Sequence, residues 1–258
     1  MSKIALVTGA SSGIGAMTAK EFSKAGFTVY AAARRVDKME ELKKDGIKPI
    51  SLDLTKEQSM INCVETILKE TGRIDILINN TGYGSYGAIE DMPMDEVRRQ
   101  FGVNLFGMAR LIQLVTPGMR KNHYGKIVNI SSMGGKIWTK FGGWYHATKF
   151  AVEGFSDCLR MELAPFGIDV VVVEPGGIKT DWGIIAANHL KKTAKGGAYE
   201  QCANKAADGM IKNYSGNMLT KPELIAKTIK NSYEEKASYL LSYRFYGKTD
   251  GYYTKNIR

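Results

Sequence analysis

The sequence predicts an α/β fold in which helices cover both faces of a doubly wound parallel sheet. Short β-branched runs alternate with longer segments of helical spacing along the chain, which implies βαβ units with right-handed crossovers. The chain of 258 residues is short for two full domains, so we expect residues 1–258 to form a single domain.

The individual elements follow from this alternation. The predicted strands are Ile4–Thr8, Phe27–Ala33, Lys48–Leu52, Ile74–Asn79, Lys126–Ile130, Asp169–Glu174 and Ser238–Tyr243. Helical spacing is found near residues 13–25, 37–45, 56–71, 93–121, 145–165 and 221–236. The run Val170–Val173 is apolar on both faces, which is typical of a buried central strand in a parallel sheet.

Two regions depart from the alternation. Residues 181–220 form an insertion after the sixth strand, and residues from Tyr199 to Tyr214 recur there at helical spacing. A long excursion from a compact domain is often a binding element, so we expect a substrate loop that is mobile without ligand and closes over the substrate. The alternative is a helix pair that merely packs. The tail, residues 244–258, is aromatic and basic, and no pattern places it.

The net charge of +10 allows nucleic acid, anionic lipid or an anionic small ligand as a partner. The lysines are spread along the chain without an arginine-rich run, which favours a solvated surface with a phosphate-bearing ligand over nucleic acid. No apolar run approaches the ~20 residues of a spanning helix, and Ile4–Val7 lacks the basic leader of a signal peptide. We therefore expect no integral membrane association.

Three cysteines and three histidines are scattered without the spacing of metal ligands. A sparse, odd set of cysteines fits a reducing cytosol, which predicts a cytoplasmic protein. No metal site is expected, and packing or surface positions are expected for Cys63, Cys158, Cys202, His123, His146 and His189.

A glycine-rich turn with the spacing G-x3-G-x-G joins the first strand to the first helix. Glycine lets the chain turn sharply, lets the backbone approach a ligand and lets the helix pack on the strand, while the helix N-terminus presents free N–H groups to a pyrophosphate. Its location directly after the first strand of an alternating chain indicates a dinucleotide site of the Rossmann type. The candidate cofactor contacts here are Gly9, Ser11, Ser12, Gly13, Ile14 and Gly15.

Together with four further motifs, this turn resembles the short-chain dehydrogenase/reductase family over roughly residues 3–243. The resemblance implies a seven-stranded parallel sheet in the order 3-2-1-4-5-6-7. It places Asp53, with the adjoining Leu54, beside the adenine. It further implies cofactor contacts at the ends of the fourth and sixth strands, namely Asn80, Thr81 and Gly82, then Pro175, Gly176, Ile178 and Thr180. Thr81 stands where the family usually has alanine.

The end of the second strand bears on the choice between NADP and NAD. NAD sites place an acidic residue there, whereas NADP sites place an arginine that receives the 2′-phosphate. The acidic position falls on Ala33, and Arg34 and Arg35 follow. Because no carboxylate occurs between Glu21 and Asp37, nothing local repels a phosphate. NADP(H) is the expected cofactor, and two solvated arginines opening a helix are the alternative.

Tyr145 and Lys149 are spaced i and i+4, so they share one face of a helix. A nearby ammonium favours the phenolate, which would lower the tyrosine pKa from its ordinary value of ~10.

Ser132, at the end of the fifth strand, can hydrogen-bond a substrate oxygen, or it can simply cap a turn. Ser131, on the opposite side of the strand, is the less favoured candidate. By resemblance, Asn104 in the long helix holds a water that relays protons to Lys149.

These residues predict hydride transfer between NADPH and a carbonyl or alcohol carbon, with Asn104, Ser132, Tyr145 and Lys149 as the catalytic set. Tyr145 and Lys149 are also expected to contact the cofactor, the lysine at the nicotinamide ribose. The alternatives are an NAD-linked alcohol dehydrogenase and a non-catalytic NADP-binding sensor, which would not need that set. An apolar carbonyl substrate is expected from the aromatic residues near the site, which are Tyr83, Tyr86, Trp138, Phe141, Trp144 and Trp182. The chain also looks like bacterial oxidoreductases related to steroid and retinol dehydrogenases. Family members usually pair through the helices that hold Asn104 and Tyr145, so a homodimer or homotetramer is expected.

Overall fold

The computed structural model describes residues 2–216, 219–234, 239–242 and 252–253. Within them the strands form one sheet in the order β3-β2-β1-β4-β5-β6-β7-β8, and neighbours from β3 to β7 are parallel. The strands are β1 Ile4–Thr8, β2 Thr28–Ala33, β3 Lys48–Ser51, β4 Ile76–Asn79, β5 Gly125–Ile130, β6 Ile168–Pro175, β7 Tyr239–Ser242 and β8 Tyr252–Tyr253. The predicted fold class and the order of its seven strands are confirmed.

The eighth strand corrects the predicted strand count. β8 pairs antiparallel with β7, through Leu241 with Tyr253 and Ser242 with Tyr252. A strand of two residues is too short to show an alternating pattern, which is why the sequence left the tail unplaced. The other residues of the tail lie outside the described part of the chain.

Helices occupy the predicted positions, and a further helix, Trp182–Ala194, was not indicated by the sequence. They are α1 Gly13–Lys24, α2 Glu57–Thr71, α3 Met94–Phe101, α4 Gly107–Lys121, α5 Gly143–Leu163, α6 Trp182–Ala194, α7 Glu200–Tyr214 and α8 Pro222–Glu234. The segment Asp37–Asp45 is a 3₁₀-helix. The single helix predicted over 93–121 is α3 and α4 joined by a π-helical segment, Gly102–Phe106, which contains Asn104.

The sheet is buried on both faces because successive strand side chains point to opposite sides. In β1, Ile4 and Leu6 join the apolar cluster formed with α2, α4 and α5, whereas Ala5 and Val7 join the cluster formed with α1 and α8. The residues of Val170–Val173 in β6 are at most 2% exposed, as predicted for a central strand. Two helical layers therefore enclose the sheet and leave its strand ends as the place for a site.

The insertion at 181–220 contains a helix pair with an apolar core of its own. α6 and α7 pack together through small and apolar residues that include Ala186, Leu190, Ala203 and Ala207. The same cluster includes Tyr86 and Tyr145, so the pair is anchored beside the predicted catalytic tyrosine. The sequence has helical spacing over α7, whereas α6 was not predicted from it.

Candidate active site

A cavity of about 1760 Å³ opens at the carboxyl ends of the strands. Pockets for one small ligand usually measure roughly 300–1,000 Å³, so this cavity has room for a dinucleotide and a second molecule. All but two of the predicted site residues line it, namely Gly9, Ser11, Ser12, Gly13, Ile14, Arg34, Arg35, Asp53, Leu54, Asn80, Thr81, Gly82, Ser132, Tyr145, Lys149, Pro175, Gly176, Ile178 and Thr180. The two exceptions, Gly15 and Asn104, lie behind its wall.

The glycine-rich turn has the geometry that the spacing predicts. Gly9 and Gly13 have φ values of 68° and 57°, which disfavour any residue with a Cβ. A Cβ at Gly15 would lie 2.5 Å from Asn80 Nδ2 and 2.5 Å from the Gly9 oxygen, so Gly15 lets α1 pack against the turn. The Ser12 side chain makes no cap hydrogen bond to α1, which leaves the first N–H groups of the helix directed at the cavity.

Thr8, at the end of β1, joins this turn to the end of β4. Its hydroxyl accepts hydrogen bonds from the backbone N–H groups of Asn80 and Thr81, both at 3.0 Å, and the Asn80 side chain donates to the Thr8 carbonyl at 3.0 Å. Thr8 is fully buried, and its role was not assigned from the sequence. This bonding fixes the two cavity-lining segments relative to each other.

Arg34 and Arg35 are exposed at the mouth of the cavity. Arg35 Nη2 reaches Ser11 Oγ at 3.5 Å. Arg34 lies close enough to Asp53 to affect that carboxyl: burial would raise the pKa of Asp53, but hydrogen bonds from Thr55 and the charge of Arg34 hold it below its ordinary value. A carboxylate from the neighbouring β3 end is therefore near Arg34, although none occurs in the local sequence.

Tyr145, Lys149 and Ser132 meet at the inner end of the cavity. Tyr145 and Lys149 lie on the buried face of α5 and are each 6% exposed. Ser132 follows β5, and its side chain is hydrogen-bonded to that of Tyr145. The Ser132 hydroxyl also accepts from Gly134 N at 3.0 Å, so Ser132 caps a turn and contacts the tyrosine at the same time.

Burial governs the ionisation of this group. It raises the pKa of Tyr145, an effect to which Tyr86 adds and which the Ser132 hydrogen bond opposes. It lowers the pKa of Lys149 to about 8, against the opposing charge of Glu153. The expected lowering of the tyrosine pKa is wrong for this structure, because Lys149 Nζ lies 6.0 Å from the ring centroid and donates to the Ile130 carbonyl at 2.8 Å.

Asn104 is 3% exposed and uses its side chain within the protein. Its amide oxygen accepts from Tyr83 N at 3.0 Å, and its amide nitrogen donates to the Tyr83 carbonyl at 2.9 Å and to Thr148 Oγ1 at 3.0 Å. Thr148 in turn donates to the Tyr145 carbonyl at 2.7 Å. Both amide hydrogens are engaged, so a water held by Asn104 would have to bind an oxygen of that residue.

His146 fixes the loop beside the tyrosine, a role that the sequence analysis did not assign. One ring nitrogen, Nδ1, lies 2.9 Å from the Gly134 carbonyl, and Nε2 accepts from Thr139 N at 3.1 Å. The side chain is 6% exposed. The residue following Tyr145 on α5 therefore ties down both ends of the segment between Gly134 and Thr139.

The predicted aromatic lining of the cavity is only partly correct. Tyr83, Tyr86 and Trp182 line the cavity, whereas Trp138, Phe141 and Trp144 do not. Trp138 is 78% exposed, Phe141 packs against Tyr199 with ring centroids 6.2 Å apart, and Trp144 Nε1 donates to the Ile89 carbonyl at 3.4 Å. The insertion supplies further lining residues that the sequence did not indicate, which are Asp181, Ile185, His189, Lys192, Asn213, Tyr214 and Leu219.

Other chemistries have little support in the described residues. No group of three or more His, Cys, Asp or Glu side chains in that part of the chain is arranged to hold a metal ion. The three cysteines are free. No described helix combines the length and apolarity needed to cross a membrane.

A glycine-rich turn on a helix N-terminus, in one cavity with a buried Tyr-Lys-Ser group, defines a dinucleotide-binding oxidoreductase site. A family model described as "short chain dehydrogenase" matches residues 3–188. The chain therefore belongs to the short-chain dehydrogenase family, as the motifs predicted.

Individual relatives agree with this assignment. The chain is 43% identical over 178 residues to a 3-ketodihydrosphingosine reductase of Bacteroides thetaiotaomicron, a match covering 69% of this chain and 65%, just under two thirds, of that protein. Among solved structures, a short-chain dehydrogenase from Streptomyces avermitilis has a TM-score of 0.80 at 33% identity, over 93% of this chain and 87% of the other. A short-chain dehydrogenase from Sphingobium yanoikuyae, in complex with NADPH, has a TM-score of 0.76 at 26% identity, over 93% and 87% of the two chains.

Proposed function

We propose that this protein is an NADPH-dependent reductase of apolar ketones or aldehydes. The observation that carries the proposal is that Tyr145, in contact with Ser132 and one helical turn before Lys149, lies in the same cavity as the glycine-rich turn and Arg34. The name of the Bacteroides relative, a reductase of a keto compound, supports the class of substrate. The complex of the Sphingobium relative with NADPH supports the cofactor.

The residues of the cavity fit a dinucleotide phosphate. The uncapped N-terminus of α1 and the Gly9 and Gly13 backbone would hold the pyrophosphate. A Cβ at Gly13 would lie 3.2 Å from Thr180 Cγ2, so Thr180 closes the turn from the opposite side. Arg34 and Arg35 would hold the 2′-phosphate of the adenine ribose. By the family resemblance, Ile178 would lie at the nicotinamide. Hydrogen bonds between Thr220 and the neighbours of Ile178, Gly177 and Lys179, fix this segment.

The chain's own residues would then bind and protonate the substrate. NADPH supplies the hydride when it is bound. Ser132 Oγ and Tyr145 Oη hydrogen-bond the carbonyl oxygen, and Tyr145 Oη gives its proton to that oxygen. Burial keeps the tyrosine protonated at neutral pH, which suits a proton donor. Lys149 Nζ restores the proton, through a water bound at an Asn104 oxygen.

The replacement Tyr145→Phe tests the proposal directly. It removes the proton donor and keeps the ring, so reduction of a panel of ketones and aldehydes should fall by roughly 10²–10⁴-fold while NADPH affinity stays the same. Tyr199→Phe is the matched control, because the Tyr199 hydroxyl donates to Glu90 at an exposed site. Substantial turnover in purified Tyr145→Phe protein would contradict the assignment.

We also propose that the protein is a cytoplasmic homodimer or homotetramer. Phe106 in the π-helical segment is 62% exposed and Phe150 on α5 is 44% exposed, so apolar surface lies on the two helices expected to pair. Light scattering of the pure protein at micromolar concentration measures the mass. A monomer would contradict the oligomer.

A further inference from the structure

An aromatic wall covers one side of Tyr145, and the mechanism above does not use it. It consists of Tyr86, Trp182 and Tyr214, and Trp182 is its centre. The Trp182 ring centroid lies 5.1 Å from that of Tyr145, 6.1 Å from that of Tyr86 and 6.2 Å from that of Tyr214. A substrate whose oxygen reaches the Tyr145 hydroxyl therefore has the indole of Trp182 next to it.

Two glycines allow the aromatic rings to pack this closely. A Cβ at Gly84 would lie 2.5 Å from Trp182 Cζ2, and a Cβ at Gly183 would lie 2.2 Å from the Tyr214 ring. Trp182 is the first residue of α6, and Tyr214 is the last of α7. The indole is thus held between the loop after β4 and the two helices of the insertion.

The chemistry of the wall limits what can lie against it. The three side chains carry no formal charge, and an anionic group beside the substrate carbonyl would lose its water without gaining an opposite charge from them. An apolar substituent loses no favourable hydration when it contacts an indole face. The close packing around Trp182 also leaves its side chain little freedom to withdraw from a bulky group.

We infer that Trp182 determines which ketones the enzyme accepts, by limiting the smaller of the two substituents on the carbonyl carbon to a small apolar group. The longer substituent would extend toward the mouth of the cavity, past Ile185, which is 61% exposed. This inference rests on the proposed reductase function and narrows its substrate class. It assigns the insertion a role in substrate selection through one named side chain.

Two isomeric ketones separate this effect from hydrophobicity. The smaller substituent on the carbonyl carbon is methyl in 2-decanone and butyl in 5-decanone, and the two ketones have the same molecular formula. One methylene in a tight pocket changes kcat/KM by about 10–200-fold, so the wild type should prefer 2-decanone by at least about tenfold. Trp182→Ala should shift the ratio toward 5-decanone by about tenfold or more, and Trp182→Phe should shift it less. Trp138→Ala, at an exposed tryptophan outside the cavity, is the control and should leave the ratio unchanged.

Each result bears on one of the two proposals. A wild type that reduces both ketones equally, or a Trp182→Ala ratio equal to that of wild type, overturns the role of Trp182 and leaves the reductase function standing. If Trp182→Ala does not fold, as judged by loss of the wild-type circular dichroism spectrum, the ratio in Trp182→Phe decides.

If wild type reduces no carbonyl compound, the reductase proposal fails, and Trp182 is then tested by binding alone. In the Trp138→Phe, Trp144→Phe double variant, Trp182 is the remaining tryptophan. Its emission should change saturably when 2-decanone is added with NADP⁺ present. An unchanged emission overturns the inference.

Discussion

The two halves of the cavity are built in different ways. The half predicted to hold the cofactor uses backbone geometry at the ends of neighbouring strands, such as the positive φ of Gly9 and Gly13. The half beside Tyr145 uses large side chains from separate segments, with Tyr86 from the loop after β4 and Trp182 and Tyr214 from α6 and α7. Main-chain geometry suits the phosphate groups that every dinucleotide carries, whereas large side chains shape the space beside Tyr145.

The replacement Gly15→Ala should break the cofactor half with the largest effect. Its Cβ would lie 2.5 Å from Asn80 Nδ2 and from the Gly9 oxygen, so the turn must shift and the phosphate contacts are lost together. NADPH affinity should fall by about 200-fold or more, equivalent to the loss of at least two charge-assisted hydrogen bonds. Fluorescence titration with NADPH measures it. Gly209→Ala is the control, because nothing lies within 4 Å of a Cβ there. A dissociation constant close to that of wild type would show that the turn tolerates a side chain.

Arg34→Ala should have the next largest effect, on cofactor choice alone. Loss of a charge-assisted bond of about 1.5–3 kcal/mol should reduce the preference for NADPH over NADH by about 10–150-fold. The comparison of kcat/KM with the two cofactors measures this preference, and Arg98→Ala, which removes an exposed arginine paired with Asp95, controls for net charge. Equal use of NADH and NADPH by the wild type would overturn the NADP assignment. An unchanged ratio in Arg34→Ala would transfer the role to Arg35.

The pH dependence of reduction should show how Glu153 affects the pKa of Lys149, one turn before it on α5. Lys149, with a pKa lowered to about 8, is charged below that pH, so kcat/KM should fall as the pH rises through about 8. Glu153 raises the lysine pKa, and Glu153→Gln should therefore move this decline to lower pH. Glu162→Gln, an exposed carboxylate on the same helix, should not move it. A profile that is identical in Glu153→Gln would show that Lys149 does not set the decline.

The smallest expected effect is a change in amide hydrogen exchange in the insertion, residues 181–220. It tests whether the half of the cavity beside Tyr145 moves when ligands bind. If the insertion closes over substrate, its amide hydrogens should exchange more slowly with NADPH and a ketone bound than without ligand. The strand β6, buried throughout its centre, serves as the internal reference. Slow exchange in the insertion that ligands do not change would instead favour a helix pair that only packs.

The sequence predicted the half of the cavity with the glycine-rich turn better than the half beside Tyr145. Gly9, Gly13 and Ser132 were identified because each sits in a short motif directly after a strand, and parallel strand ends lie at one edge of the sheet. The wrong choice of Trp138 and Trp144 over Tyr214 has a different origin. Trp138 is exposed in the segment before α5, and Trp144 on α5 donates to the Ile89 carbonyl, while Tyr214 reaches Trp182 from α7, a helix distant in sequence. Packing between distant helices leaves no local signal.

The hydrogen bonds of Asn104 and His146 were also beyond the sequence, for a related reason. Asparagine is a poor residue for a helix interior, and Asn104 lies in the π-helical segment. The partners, Tyr83 and Thr148 for one and Gly134 and Thr139 for the other, are set by the docking of α5 on the strand ends. A residue type indicates a capacity to bond, and tertiary structure selects the partner.

The contact between Gly13 and Thr180 has a consequence for folding. These residues follow β1 and β6, which are far apart in the sequence, and they come together only when both strands are in place around β4 and β5. A cavity assembled from such distant segments does not exist in a half-folded chain. A ligand that binds it recognises only the finished molecule and stabilises it by about 2.7 kcal/mol at a hundred times its dissociation constant. Cellular cofactor supply would thereby influence how long the protein survives, as well as how fast it works.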